Sequence, residues 1–145
     1  IQPADVWQEY LDICPIMTRL MPNALDALDL LSQRFKLALL TNGFEVTQRI
    51  KIEASGIGKY IDFMVTSEAL GVAKPNRDFF NHAMVKAGCK TDEVVYLGDT
   101  WDTDVEGGMG AELLTYWYHL GEGERQSENG FFGGKVNDLL AFARL

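Results

Sequence analysis

The sequence predicts an α/β fold in which a parallel sheet is flanked by helices, and three observations lead there. Short apolar runs alternate with amphipathic stretches along most of the chain. Strands joined through helices lie parallel and are covered on both faces. The apolar runs end in glycine, asparagine or nearby aspartate, which punctuate strand-to-helix turns. Of the 145 residues, 47% are apolar, which suits one folded unit with a real core and excludes a disordered chain.

Pro3 to Cys14 reads as a helix, with the proline near its start. Its apolar residues fall in two stripes, Val6, Tyr10, Ile13 and Trp7, Leu11, Cys14, so it asks for cover on two sides. Pro15 and Pro22 bracket a linker. Asn23 to Gln33 is a second helix carrying Leu25, Leu28 and Leu31. Lys36 to Thr41 is the first strand, ended by Asn42-Gly43. A third helix follows with Val46, Ile50, Ala54 and Ile57 on one side and Gly56 as its stop. Phe63 to Thr66 is a short strand, and Asn76 to Ala87 a helix with Asn76 as N-cap and Gly88 beyond its end.

Val94 to Leu97 is wholly apolar and reads as a buried parallel strand. From Asp104 to Met109 only a short helix is expected, because glycines crowd the segment. Leu113 to Tyr118 is an aromatic-rich fourth strand. Gly121 to Gly134 is polar, glycine-rich and aperiodic, and is expected to be a loop. Asn137 is expected to cap a last helix carrying Leu139, Leu140 and Phe142.

The formal charge of −8, from 21 acidic and 13 basic residues, argues against nucleic acid or an anionic membrane as the main partner. Any phosphate site must therefore be local. Cys14 and Cys89 are far apart and form no CxxC, as expected of reduced thiols in a cytoplasmic protein. No apolar run is long enough to span a membrane, and no signal peptide is visible.

The chemistry concentrates at strand ends. Asp99, Asp102 and Asp104 follow the Val94–Leu97 strand, where open α/β sheets bind ligands. Crowded carboxylates repel one another, and a hard cation such as Mg2+ offsets that repulsion with oxygen ligands. Thr41 ends the first strand, and Lys74 lies after the second. In a parallel sheet all of these belong to one edge. The Thr41 hydroxyl and the backbone N–H groups of Asn42 and Gly43 suit phosphate oxygens, and Lys74 adds a compact positive charge. His82 and His119 read as structural residues, because neither has a second histidine at ligand spacing. Trp101, between the carboxylates, is expected to border a substrate pocket or else to cap the core, the pocket being favoured.

These motifs, in this order, resemble the haloacid dehalogenase (HAD) superfamily of hydrolases. LLTNG carries Thr41 as the second family motif, KPN carries Lys74 as the third, and Gly98, Asp99 and Asp104 match the fourth, GDxxxxD. The intervening SEALGVAKPNRDFF is also similar, and the resemblance runs from about Pro22 to the end. It implies a HAD-like Rossmannoid core over residues 22–145, preceded by a residual cap helix and linker over 1–21. Within it, TNGF, Gln48 and Glu53-Ala54-Ser55-Gly56 resemble the nucleotidase-like phosphatases with a helical cap.

The resemblance implies Mg2+-dependent hydrolysis of a small phosphorylated metabolite. Thr41 and Lys74 would be catalytic, with Asn42 and Gly43 also binding phosphate and Asp99 and Asp104 holding the metal. One departure is large. The family's first motif, DxDx[TV] on its first strand, supplies the nucleophile and the general acid, and it is absent between Ile1 and Leu145. The expectations are therefore weak or absent Mg2+ binding and an inactive chain when alone. Its alternatives are a non-catalytic remnant, an interaction module, or half of a split phosphatase.

In the family the first strand lies between the strands of motifs two and four. Its absence leaves two remedies. The flanking strands pair directly, or a homodimer or complementing N-terminal segment fills the place, with Pro3–Cys14 packed across it.

Overall fold

A computed structural model describes residues 2–145. Helix α1 spans Pro3–Met17, α2 Ala24–Ser32, α3 Glu45–Ser55, α4 Ser67–Leu70, α5 Arg77–Ala87, α6 Glu106–Gly110 and α7 Leu139–Ala143. The strands are β1 (Ala38–Thr41), β2 (Phe63–Thr66), β3 (Val95–Gly98), β4 (Leu114–Tyr118) and β5 (Phe132–Val136). Every strand pair is parallel, as the helical crossovers require. No helix is long and apolar enough to cross a membrane among the described residues.

Punctuation residues behave as their chemistry dictates. The Asn76 side chain caps α5 by accepting from the Asp78 N–H at 2.9 Å. Gly56 and Gly88 end α3 and α5 at φ of 73° and 71°, a conformation costly for residues with a Cβ.

The strands form two sheets among the described residues, β1–β2 and β3–β4–β5. Direct pairing of the strands of motifs two and four, one of the two remedies foreseen, does not occur: β1 pairs with β2 and β3 with β4. The reason is visible in what lies across the gap. Adjacent phenylalanines of α5 serve different sheets, Phe79 packing with Val65 and Phe80 with Leu113. Leu40 of β1 touches both clusters, so one continuous core underlies both sheets. Elsewhere α2 packs against α7, and Asn23 Nδ2 donates to Asp138 Oδ1 at 3.4 Å.

Several boundaries differ from expectation. Helix α1 runs through Pro15 to Met17. A proline that late removes only one hydrogen bond, that to the Leu11 carbonyl, and the Thr18 hydroxyl donates to the Cys14 carbonyl in the last turn at 2.8 Å. The helix lies against α3 of its own chain, leaving Val6, Tyr10, Ile13, Ile16 and Met17 exposed. At the end of the stretch expected to be loop, and running past it, β5 is a strand over Phe132–Val136. Its Gly133 is required because a Cβ there would come within 2.5 Å of the Tyr116 ring. Asp138, rather than Asn137, caps α7 by accepting from the N–H groups of Leu140 and Ala141.

Candidate active site

The carboxyl ends of β1 and β3 face each other across the gap, and one side chain ties them. Lys74 Nζ donates to the Leu40 carbonyl of β1 at 2.9 Å and to the Tyr96 hydroxyl of β3 at 3.3 Å. It also pairs with Asp104 Oδ1 at 2.7 Å, both side chains being more than nine-tenths buried. Lys74 thus reaches the residue preceding Thr41, and the groups from all three motifs converge. Its backbone is fixed as well: Asn42 Nδ2 donates to the Lys74 carbonyl at 2.9 Å, and the Lys74 N–H donates to Asn42 Oδ1 at 2.8 Å. The Asn42 side chain is therefore a clamp on Lys74, while its backbone lies with Gly43 in the turn that follows β1.

Asp104 is held from four directions. Tyr96 donates its hydroxyl to Oδ1 at 3.1 Å, and the backbone N–H groups of Asp99 and Thr100 donate to Oδ2 at 3.2 and 3.0 Å. Two features of the chain permit this. A π-type turn over Trp101–Val105, with the Asp104 and Val105 N–H groups both reaching the Thr100 carbonyl, rotates Asp104 inward. Gly98 leaves room, since a Cβ there would lie 2.8 Å from the Asp104 carboxyl carbon.

Burial opposes ionisation of Asp104. The hydrogen bond and charge of Lys74, with the Thr100 N–H and the Tyr96 hydroxyl, outweigh it and hold the carboxyl below its ordinary range. Burial first, then the charge and hydrogen bond of Asp104 and the charge of Asp99, push the Tyr96 hydroxyl far up, so Tyr96 remains a donor.

Asp99 differs from Asp104. Its side chain is exposed at the carboxyl end of β3, and neither oxygen has a hydrogen-bond or ion-pair partner among the described residues. Its backbone is anchored by Trp117 of β4, whose Nε1 donates to the Asp99 carbonyl at 3.0 Å. Asp99 thus suits a hard cation, whereas the acceptor positions of Asp104 are already filled by donors. No group of three acidic, histidine or cysteine side chains gathers at ligand distance among the described residues. Mg2+ commonly takes one or two carboxylates and keeps several waters, so a single free Asp99 fits part of such a shell.

Other candidates fall outside this convergence. His82 is exposed on α5, and His119 stacks on Trp117 with ring centroids 4.3 Å apart. Trp101 packs edge-on against Trp117 and Phe132, capping a small core cluster, with Arg125 over its ring at 5.1 Å. Asp102 is exposed and lies 3.7 Å from Arg125. Tyr96 and Trp117 are the contributors that sequence reasoning passed over; each looks like a core aromatic in a strand, and only its polar end marks it out.

Comparison with known proteins gives the family and the fold. The haloacid dehalogenase-like hydrolase family matches residues 2–111. The pyrimidine 5'-nucleotidase YjjG of Escherichia coli is 32% identical over 118 residues, covering 81% of this chain and 52% of that protein. The glyceraldehyde 3-phosphate phosphatase of Methanocaldococcus jannaschii is 27% identical over 131 residues, covering 90% of this chain and 58% of its own length. This chain thus spans little more than half the length of these relatives. Among solved structures, the magnesium-bound HAD-hydrolase YfnB of Bacillus subtilis superposes with a TM-score of 0.83 at 24% identity, over 97% of this chain and 61% of YfnB. The fold, the ordered motifs and the matched family together establish that this chain belongs to the haloacid dehalogenase-like hydrolases.

Proposed function

We propose that this chain is the phosphate-holding part of a Mg2+-dependent phosphatase, completed by one further strand lodged between β1 and β3. The observation that carries the reading is the Lys74 tie: a buried ammonium, held by Asp104 and Tyr96, at the carboxyl ends of two strands whose facing edges are both unpaired among the described residues. Unpaired apolar edges invite a strand. A strand placed there would bring its carboxyl-terminal residue to Lys74, Thr41 and Asp99 together.

Each residue then has a task. The Thr41 hydroxyl and the N–H groups of Asn42 and Gly43 donate to phosphoryl oxygens. Lys74 supplies positive charge, in competition with its long contact to Tyr96. Asp104 and Tyr96 hold the ammonium in place, and Asn42 holds the main chain beneath it. Asp99 would hold Mg2+, which supplies neutralisation of charge on the phosphoryl oxygens. The added strand would bring the aspartate that attacks phosphorus and the acid that protonates the departing ester oxygen. It could come from the same polypeptide or from another, since both edges are open.

The test compares this chain alone with a longer form carrying an upstream strand, using an aryl phosphate and Mg2+. The chain alone should show no turnover, because nucleophile and general acid are both lacking; the acid by itself is worth about 10²–10⁴-fold. The longer form should be active, and Asp99→Asn should abolish that activity. Turnover by the chain alone that vanishes in Asp99→Asn would overturn the need for a further strand.

A further inference from the structure

We infer that Lys135 is a positioning residue for Asp99. It acts through the loop at residues 121–123 and a stack of His119 on Trp117, and so sets the direction of the carboxylate that would hold a divalent cation. The inference rests on the reading of Asp99 as that cation's ligand.

The Asp99 carboxylate accepts no hydrogen bond among the described residues, so its direction is set by its main chain. The Asp99 N–H donates to Asp104 Oδ2 at 3.2 Å, and the Asp99 carbonyl accepts from Trp117 Nε1 at 3.0 Å. The first contact is secured by the Lys74–Asp104 pair. The second is only as firm as the indole that makes it.

Trp117 is buried, and its ring is braced from outside the site. His119 is two positions further along, hence on the same face of the sheet, and it stacks on the indole at 4.3 Å and 11°. The His119 main chain is itself tied, its N–H donating to the Val136 carbonyl at 2.9 Å. Against the imidazole lies Gly121, where a Cβ would stand 2.7 Å from Nε2. The loop carrying Gly121 lies outside regular secondary structure, and Lys135 holds it. Lys135 is the register partner of Trp117 in β5, and its Nζ lies 6.0 Å from the Trp117 ring centroid. Nζ donates to the Gly121 carbonyl at 3.0 Å and the Gly123 carbonyl at 2.8 Å, with Glu124 Oε1 at 3.5 Å. Its side chain is 16% exposed. Lys36 and Lys86, which also donate to main-chain carbonyls, reach one each. A tie that only pinned the loop would affect the loop alone. A tie that positions Asp99 also changes cation affinity there, with no contact between Lys135 and the cation.

Manganese tests this on the chain as it stands, without turnover. Mn2+ takes the same kind of oxygen ligands as Mg2+, and it broadens nearby amide signals even when it binds weakly. In proton–nitrogen correlation NMR, it should broaden Asp99 and Thr100 first, and Asp99→Asn should abolish that selectivity. Trp117→Phe, which keeps an aromatic ring and removes the donor, should raise the Mn2+ concentration required about tenfold. Lys135→Met, which keeps the apolar stem, should raise it about three- to tenfold. In that variant the Trp117 indole N–H should exchange with solvent at least about tenfold faster. His119→Ala should resemble Lys135→Met, and it carries the same comparison if Lys135→Met does not fold. His119→Phe, which keeps a stacking ring, should stay within about twofold of wild type. Lys86→Met removes a lysine–carbonyl tie beside β2 and should change nothing at Asp99. The spectra themselves show whether each variant is folded.

Unchanged indole exchange and an unchanged Mn2+ response in Lys135→Met overturn the inference and leave Asp99 as the cation ligand. Faster indole exchange with an unchanged Mn2+ response also overturns it, and makes Lys135 a loop tie only. An equal loss in Lys86→Met assigns the effect to general stability and overturns it likewise. Wild-type protein with no selective broadening at Asp99 sinks the cation reading, and the positioning role falls with it.

Discussion

Strand β4 and the two strands that border the gap have similar apolar sequences and very different surroundings. In β4, which has a partner on each edge, Thr115, Trp117 and Tyr118 are buried, Thr115 completely. In β1 and β3, each paired on one edge, no residue is fully buried, and Ala38 and Val95 are exposed. A single partner is not by itself the cause, since β2 is also paired on one edge and buries Val65 and Thr66; what β1 and β3 share is the gap between them. The half around β4 is finished, and the half facing the gap is held by a few specific ties, chiefly α5 beneath it and Lys74–Asp104 across it.

The largest expected effect breaks that tie. Asp104→Asn should cost about 3–5 kcal/mol at neutral pH, because it leaves Lys74 charged, buried and without a counterion. Urea unfolding measures this. Lys74→Met combined with Asp104→Asn should lose less than the two single changes added, since no lone charge remains. Acid pH sharpens the same point. The folded-state Asp104 pKa lies below its ordinary 3.8, so the stability it contributes is present above that value and lost as pH falls through the folded one. The difference between Asp104→Asn and wild type should therefore narrow below about pH 4. A loss under about 1 kcal/mol would mean that α5 alone joins the halves.

The next effect probes the finished half. A Cβ on Gly108 of α6 would stand 2.5 Å from the Thr115 hydroxyl oxygen and 2.8 Å from the Tyr96 ring, whereas one on Gly110 meets nothing within 4 Å. Gly108→Ala should cost about 1–3 kcal/mol through overpacking. Gly110→Ala should be neutral or gain up to about 1 kcal/mol from helix propensity. Equal thermal stability of the two variants would show that the β3–β4 side has slack. The smallest effect is dynamic. Amide hydrogens of β1 and β3 should exchange about tenfold or more faster than those of β4. Uniform protection across all three strands would erase the distinction between the halves.

Much of this arrangement was legible in the sequence, because strand-end residues carry their chemistry openly. Thr41, Lys74 and Asp99 each follow an apolar run, and parallel topology alone sends them to one edge. The fate of Asp104 was not legible. Beside Asp99 it looks like a second metal ligand, and only the turn at Trp101–Val105 aims it at Lys74. Strand β5 escaped notice because Gly133 and Gly134 depress strand propensity, and the need for Gly133 lies in a ring 17 positions earlier, Tyr116. Tyr96 and Trp117 hid for a different reason: a hydroxyl or indole N–H at the end of a buried aromatic is invisible to hydrophobic patterning.

The contact of α2 with α7 has a consequence for how the chain assembles. Asn23 and Asp138 are 115 residues apart. By contrast, the β1–α3–β2 and β3–α6–β4 units close within short contiguous segments. Long loops are not forbidding, since each doubling of length adds only about 0.6 kcal/mol of closure entropy, but their contacts are slow to find. The two local units should therefore form first, with the docking of α2 on α7 and the Lys74–Asp104 tie following. During that interval the edges of β1 and β3, which stay unpaired in the folded chain, also lack the Lys74–Asp104 tie between them and can capture a strand from a neighbouring molecule. Refolding yield should accordingly fall as protein concentration rises, even if the folded chain itself stays soluble.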